Sequence, residues 1–228
     1  MRERARGWTL LEILIVILII SLLAALLMPV VSSARRAAKK SVCASQLRQL
    51  HVAWSLYLGD YNGSSGDLAT WAPRTENLAP YVKNRSVWIC PLDPAEDGVF
   101  QEDMQYPTSY FYLKRTIAED ILKVDSNPGL FACTLHENCR NPYINGSPEG
   151  IICWGRRALL RVHLDGSVHP ASYYPICRYD SEGKRVGFGE AFWLLFTDQF
   201  CLPSFHSDFC TNWRPCREED IRQRAGDG

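Results

Sequence analysis

The sequence predicts an α+β protein in which a long N-terminal α-helix, about residues 8–58, packs its second half on a small, mainly antiparallel β-sheet head. Three observations carry that prediction. Residues 13–31, ILIVILIISLLAALLMPVV, contain no charged side chain, and about 20 apolar residues are what a helix needs to cross a bilayer. Cys43, Leu47, Leu50, Trp54 and Tyr57 then recur at spacings of four and three, with Leu58 beside the last, which is the apolar stripe of an amphipathic helix. Farther on, RALLRVHLDGSVHPAS (157–172) places two strand-like runs on either side of Asp165-Gly166, a strong signal for a two-residue hairpin turn.

The 228 residues suffice for one ordinary domain and an appendage. With 46% hydrophobic and 22% charged residues, the chain has the composition of a packed protein rather than a disordered one. Lys+Arg and Asp+Glu both number 25, so the basic excess of a nucleic-acid binder is missing. The charge is unevenly spread, however. The greasy run lies at the start, and most of the 7 Trp and all of the 10 Tyr lie beyond it. The chain reads as a folded domain tethered by its N-terminus.

Glu12 stands inside the first turns of the greasy segment, where a charge is costly. Three ordinary explanations of the segment compete. A cleaved secretory signal would use Ala24-Ala25 as a small-residue site, but the run continues to Val31, longer than such a core. A plain signal anchor fits the length and leaves Glu12 unexplained. A buried core helix would be shorter and less uniformly apolar. Flanking charge does not orient the segment, because Arg2, Arg4 and Arg6 precede it and Arg35, Arg36, Lys39 and Lys40 follow it.

The helical pattern passes Val31 with charges at Arg35, Arg36, Lys39, Lys40 and Arg48 off the apolar stripe, and stops at GDYNG (59–63). One helix of that extent is roughly 75 Å long at 1.5 Å per residue. Pro29 removes one of its hydrogen bonds and predicts a kink or a loosened turn. A loop-rich stretch (59–75) follows. ENLAPYVKNRSVWICPLDP (76–94) predicts a helical turn and then a short strand ending at Cys90-Pro91, and TSYFYL (108–113) is strand-like.

RGWTLLEILIVILIISLLAALLMPVV resembles the N-terminus of type IV prepilins and of the pseudopilins of type II secretion systems. The shared features are a short basic leader, a glycine, an aromatic, and Glu12 and Pro29 as the fifth and twenty-second residues counted from Trp8. Trp8 is the departure, since the family usually has Phe there. The resemblance implies a leader over 1–7, cut between Gly7 and Trp8 by a membrane-embedded prepilin peptidase that then N-methylates Trp8. It implies a transmembrane, filament-core half-helix (8–31), an amphipathic half (32–58) and an extracytoplasmic head (59–228). Glycine suits the cut because backbone without a side chain enters a tight protease cleft unhindered. The resemblance also gives Glu12 a role: it pairs with the new amino terminus of a neighbouring subunit and sets the register of assembly. Cys43 before QLRQLHVAWSLYLGDYNG, then CPLDP, TSYFYL and LLRVHLDGSV are similar to one pseudopilin-like subgroup, whose cysteines imply a Cys43–Cys90 pair. That subgroup has His after Asp-Gly, where this chain has Ser167. Residues 173–228 carry no resemblance and read as a subgroup-specific extension.

Catalytic and metal chemistry have weaker signals. His163, Asp165, Ser167 and His169 form a Ser/His/Asp set on paper, but Asp165 is explained by the turn it makes with Gly166. No nucleophile elbow and no HExxH occurs, so no enzyme activity is expected. Asp93, Asp165 and Asp180 offer oxygen ligands for Ca²⁺, which some pseudopilins bind in the head, yet no EF-hand-like loop is present. The nine cysteines are Cys43, Cys90, Cys133, Cys139, Cys153, Cys177, Cys201, Cys210 and Cys216. An odd count leaves at least one unpaired, and a head outside the cytoplasm favours disulfides. CTLHENC and CLPSFHSDFCTNWRPC put His136 and His206 among cysteines, so zinc is conceivable, although the spacing is not C-x-x-C. Disulfides and no resident metal are the expectation.

The resemblance implies a structural subunit of a type IV pilus or type II secretion pseudopilus. Its partners would be prepilin peptidase, other pilin or pseudopilin subunits and the inner-membrane assembly machinery, with no nucleic acid. Its place would be the bacterial inner membrane, single-pass, and then the filament. The other reading is a membrane-anchored extracytoplasmic binding or enzymatic protein that uses the segment only for targeting.

Overall fold

The computed structural model describes residues 9–61, 75–93, 108–113, 115–134, 142–143, 152–153, 157–205, 207–217 and 219–220. Helix α1 (Leu10–Asp60) runs unbroken through Pro29 and ends two residues later than expected. Pro29 has no N–H to give to Ala25, yet the helix continues on both sides of it. Ser32 and Ser33 turn their hydroxyls back to the carbonyls of Pro29 and Val30 at 2.9 and 2.8 Å. Every residue from 10 to 35 is exposed. By length and composition the apolar part suffices to cross a membrane. The chain divides into two compact units, 1–41 and 42–228, so the division falls inside α1.

In the second unit the expected stripe is the core face of the helix. Cys43, Leu47, Leu50, Ala53, Trp54 and Tyr57 are all buried, and the spacing of three and four keeps them on one side. They join a cluster that includes Leu78, Val87, Trp88, Tyr110, Leu113, Ile121 and Leu130. Apolar burial on this scale is the main favourable term in holding such a unit together.

Two short helices and a sheet complete this core. Helix α2 spans Thr75–Leu78 and helix α3 spans Arg115–Val124. The expected strand before Cys90 is instead a 3-10 turn over Arg85–Trp88. Asn84 caps it by accepting the Ser86 N–H at 3.0 Å, and a side-chain cap at that position favours a helical turn over an extended run. Strands β1 (Phe111–Tyr112), β2 (Gly129–Cys133), β5 (Arg157–His163) and β6 (Val168–Tyr173) form one antiparallel sheet in the order β1-β2-β5-β6. Its β2 strand is buried at every position. TSYFYL therefore contributes only a two-residue strand. Strands β3 (Pro142–Tyr143) and β4 (Ile152–Cys153) pair separately.

The β5–β6 hairpin forms as expected, with a different turn. His163 and Ser167 face each other, the His163 N–H donating to the Ser167 carbonyl at 2.9 Å. The loop is therefore three residues, Leu164–Gly166, with Gly166 at φ 82°. That is the three-residue hairpin whose last position needs a left-handed residue. A Cβ on Gly166 would also meet the His51 ring at 3.0 Å. His51, on α1, is hydrogen-bonded to the Leu164 carbonyl at 2.9 Å, so the hairpin tip is tied to the helix.

Residues 173–228, expected as an extension, carry a second sheet. Strands β7 (Pro175–Tyr179), β8 (Arg185–Glu190) and β9 (Trp213–Pro215) are antiparallel in the order β8-β7-β9. A 3-10 turn (Phe192–Leu195) and helix α4 (Ser207–Asn212) connect them. Trp193, Phe205, Phe209 and Trp213 pack ring to ring around that connection. The observed architecture is thus α+β, with one long N-terminal helix and small antiparallel sheets.

Candidate functional site

Two places bring chemistry-bearing residues together. The first is the start of α1. Thr9 and Glu12 form a complete capping box: the Glu12 N–H donates to Thr9 Oγ1 at 3.2 Å, and the Thr9 N–H donates to Glu12 Oε2 at 2.8 Å. The Thr9 hydroxyl adds a third bond to the same Oε2 at 2.9 Å. Helix starts leave four N–H groups without intrahelical partners, and this pair satisfies two of them. The carboxylate also lies at the positive end of the helix macrodipole. The T-x-x-E spacing of residues 9–12 was legible as a capping signature, and reading Glu12 only as an assembly residue missed it. Gly7 and Trp8 lie outside the described residues. Pro29 sits in the exposed, apolar part of the helix.

The second place is the core of the head, where Cys43 of α1, Cys90 after the 3-10 turn and Cys133 at the end of β2 converge. Their three sulfurs lie within 4.8 Å of one another, and each residue is 0–1% exposed. Gln46, one turn along α1 from Cys43, ties these elements together. Its Nε2 donates to the Ser86 and Ile89 carbonyls at 2.8 and 3.1 Å, and its Oε1 accepts from the Tyr110 hydroxyl at 2.8 Å. Ser109 Oγ accepts the Cys90 N–H at 2.9 Å and donates to Asp93 at 2.5 Å. The hydrogen bond of the Cys43 thiol with Cys133 favours its ionisation, but its bond with Cys90 and its burial outweigh that, and the net shift is upward. Burial, then hydrogen bonds with Cys43 and Cys90, pushes Cys133 up. Burial likewise raises Tyr110.

The Cys43–Cys90 bridge that the resemblance implies is therefore not formed: both are thiols, in company with the Cys133 thiol. No spacing or motif joins Cys133 to them, since the contact depends on where β2 ends. Disulfides do link Cys177 to Cys216 and Cys201 to Cys210, across separations of 39 and 9 residues. The first staples β7 to the chain leaving β9, where sheet pairing is only three residues long. Cys139, His136 and His206 lie outside the described residues, and of Cys153 only the backbone in β4 is described.

These bridges carry a direct expectation. Each typically contributes about 2–4 kcal/mol, so reductant lowers the thermal midpoint of the full chain in detergent by about 4–16 °C per bridge. Differential scanning calorimetry with and without reductant checks this. An unchanged midpoint would show that the bridges do not support the second sheet.

The remaining candidates are dispersed. Ser167 Oγ donates to Asp165 at 2.6 Å, while His163 Nδ1 meets the Asn127 carbonyl at 2.5 Å and His163 Nε2 faces Arg161 Nε at 3.3 Å. His169 packs its ring edge-on against His163. Asp165 is thus a turn residue whose bond from the Ser167 hydroxyl holds its carboxyl below the ordinary range. Asp93 accepts from Ser109, and Asp180 accepts the N–H groups of Glu182 and Lys184 at 3.0 and 2.8 Å. Asp165 and Asp180 each close their own turn, and Asp93 ties its loop to Ser109, so the three acids do not converge. Among the described residues, only the cysteine trio brings three metal-ligating side chains together.

No protein-family profile, curated protein or solved structure matches this chain.

Proposed function

We propose that the chain is a structural subunit of a type IV pilus or type II secretion pseudopilus, cut after Gly7, N-methylated at Trp8 and assembled through α1. The observation that carries this reading is the exposed apolar surface of α1 with one carboxylate in its first turn. Leu10 is 83% and Met28 74% exposed, and from Ile13 to Met28 every side chain except Ser21 is apolar. Such a surface needs lipid first and is equally suited to packing among like helices. In that packing Glu12 would meet the amino terminus of a neighbouring subunit, a cation that offsets the burial of its charge. The core side of residues 43–57 would serve each subunit's own head.

The capping box favours a second reading. It gives Glu12 a partner within its own chain, as a membrane-anchored extracytoplasmic binding protein or enzyme would need and nothing more. N-terminal sequencing of the protein recovered from membranes tests the processing on which the filament reading rests. The filament reading expects methylated Trp8 as the first residue. A Met1 terminus, or a cut near Ala25, would overturn it.

A further inference from the structure

We propose that Cys43, Cys90 and Cys133 are a metal site that takes one thiophilic d10 cation, held by three sulfurs in the core of the head. The proposal is independent of the filament reading and departs from the expectation of disulfides and no resident metal.

The geometry is close to what such an ion requires. Sulfur ligands at about 2.3 Å from a common ion stand about 3.8–4.0 Å apart. The three sulfurs are already within 4.8 Å, so coordination closes the gaps by less than about 1 Å. Three separate segments supply them, from α1, from the CPLD loop and from β2, and the Gln46 and Tyr110 hydrogen bonds hold two of those segments in place. Sulfur in this number selects soft ions of the Cu⁺ and Zn²⁺ kind over Ca²⁺ or Mg²⁺, which want oxygen.

The surroundings suit ligating sulfur. The Leu92 N–H points at Cys90 Sγ at 3.4 Å, across Pro91, which is the donor a bound thiolate accepts. On binding, each ligating thiol releases its proton to solvent and forms a sulfur–metal bond, with no change of oxidation state.

Two plainer accounts compete. Cysteine is often a small hydrophobe in a core, but that account gives no reason for three from distant segments to meet at one point. A disulfide would use two sulfurs and leave the third against it. All three are thiols in the structure, with their sulfurs within 4.8 Å of one another. Buried, protonated thiols are also poor nucleophiles for exchange once the head has folded.

The test uses the full chain in detergent, prepared anaerobically, with Zn²⁺ in one arm and Cu⁺ in the other. Native mass spectrometry should show one ion per chain in at least one arm, and X-ray absorption should show sulfur scatterers from three ligands. Cys133→Ala should reduce the stoichiometry from one to zero, while a Cys201→Ala/Cys210→Ala control keeps the ion. Should Cys133→Ala fail to fold, absorption on the wild type decides alone. No ion in either arm, an ion retained by folded Cys133→Ala, a coordination shell without three sulfurs, or a peptide map showing a bridge between any two of the three would each overturn the proposal.

Discussion

Gly7→Val leaves the chain as a precursor, heavier than the wild-type product by its seven-residue leader. The expected effect is near-complete loss of processing. A β-branched side chain at the residue before the cut is stiff and bulky where the peptidase must draw backbone into its cleft. The change lies ahead of α1, so the head should fold as before. Immunoblots of membrane fractions separate the two forms by size. Wild-type processing of Gly7→Val would mean that the cut is elsewhere, or that the segment is never cut.

Substitutions at Glu12 have the second large effect, and the capping box decides how to make them. Glu12→Ala removes both the charge and the acceptor for the Thr9 N–H. Glu12→Gln removes the charge alone, because glutamine serves equally at this position of a capping box. If the carboxylate pairs with a neighbour's amine, both variants are cut at Gly7 and both fall by about tenfold or more in sheared filaments. If the cap is all that matters, Glu12→Gln assembles like the wild type and only Glu12→Ala is lost. Quantitative mass spectrometry of the sheared fraction distinguishes these outcomes.

Much of the fold was legible because it depends on periodicity. The stripe from Cys43 to Tyr57 named the core face of α1, since helical spacing alone decides which residues share a side. The β5–β6 hairpin followed from two strand-like runs flanking Asp165-Gly166, although the turn proved one residue longer. Its length is set by the His163–Ser167 bond and by His51, both invisible to a local pattern. The strand expected before Cys90 failed for a local reason, the Asn84 cap. The sheet β8-β7-β9 was not foreseen, because its strands are short and β9 joins β7 from more than thirty residues away. Of the candidate sites, Glu12 was visible and half understood. The thiol trio was not visible, since it needs the register of β2 against β5 to bring Cys133 inward.

The bonds from Thr9 to Glu12 also change what joining a filament would involve. The carboxylate of an isolated subunit is already occupied by two donors of its own chain. A cut between Gly7 and Trp8 leaves Thr9 N–H intact as an amide, so this occupancy survives maturation. Both donors bind Oε2, so an incoming amine can be received at Oε1 without displacing either. Subunit entry would then add a cation to a carboxylate that its own chain already holds in place, so that the orientation of the acid precedes assembly instead of being settled by it.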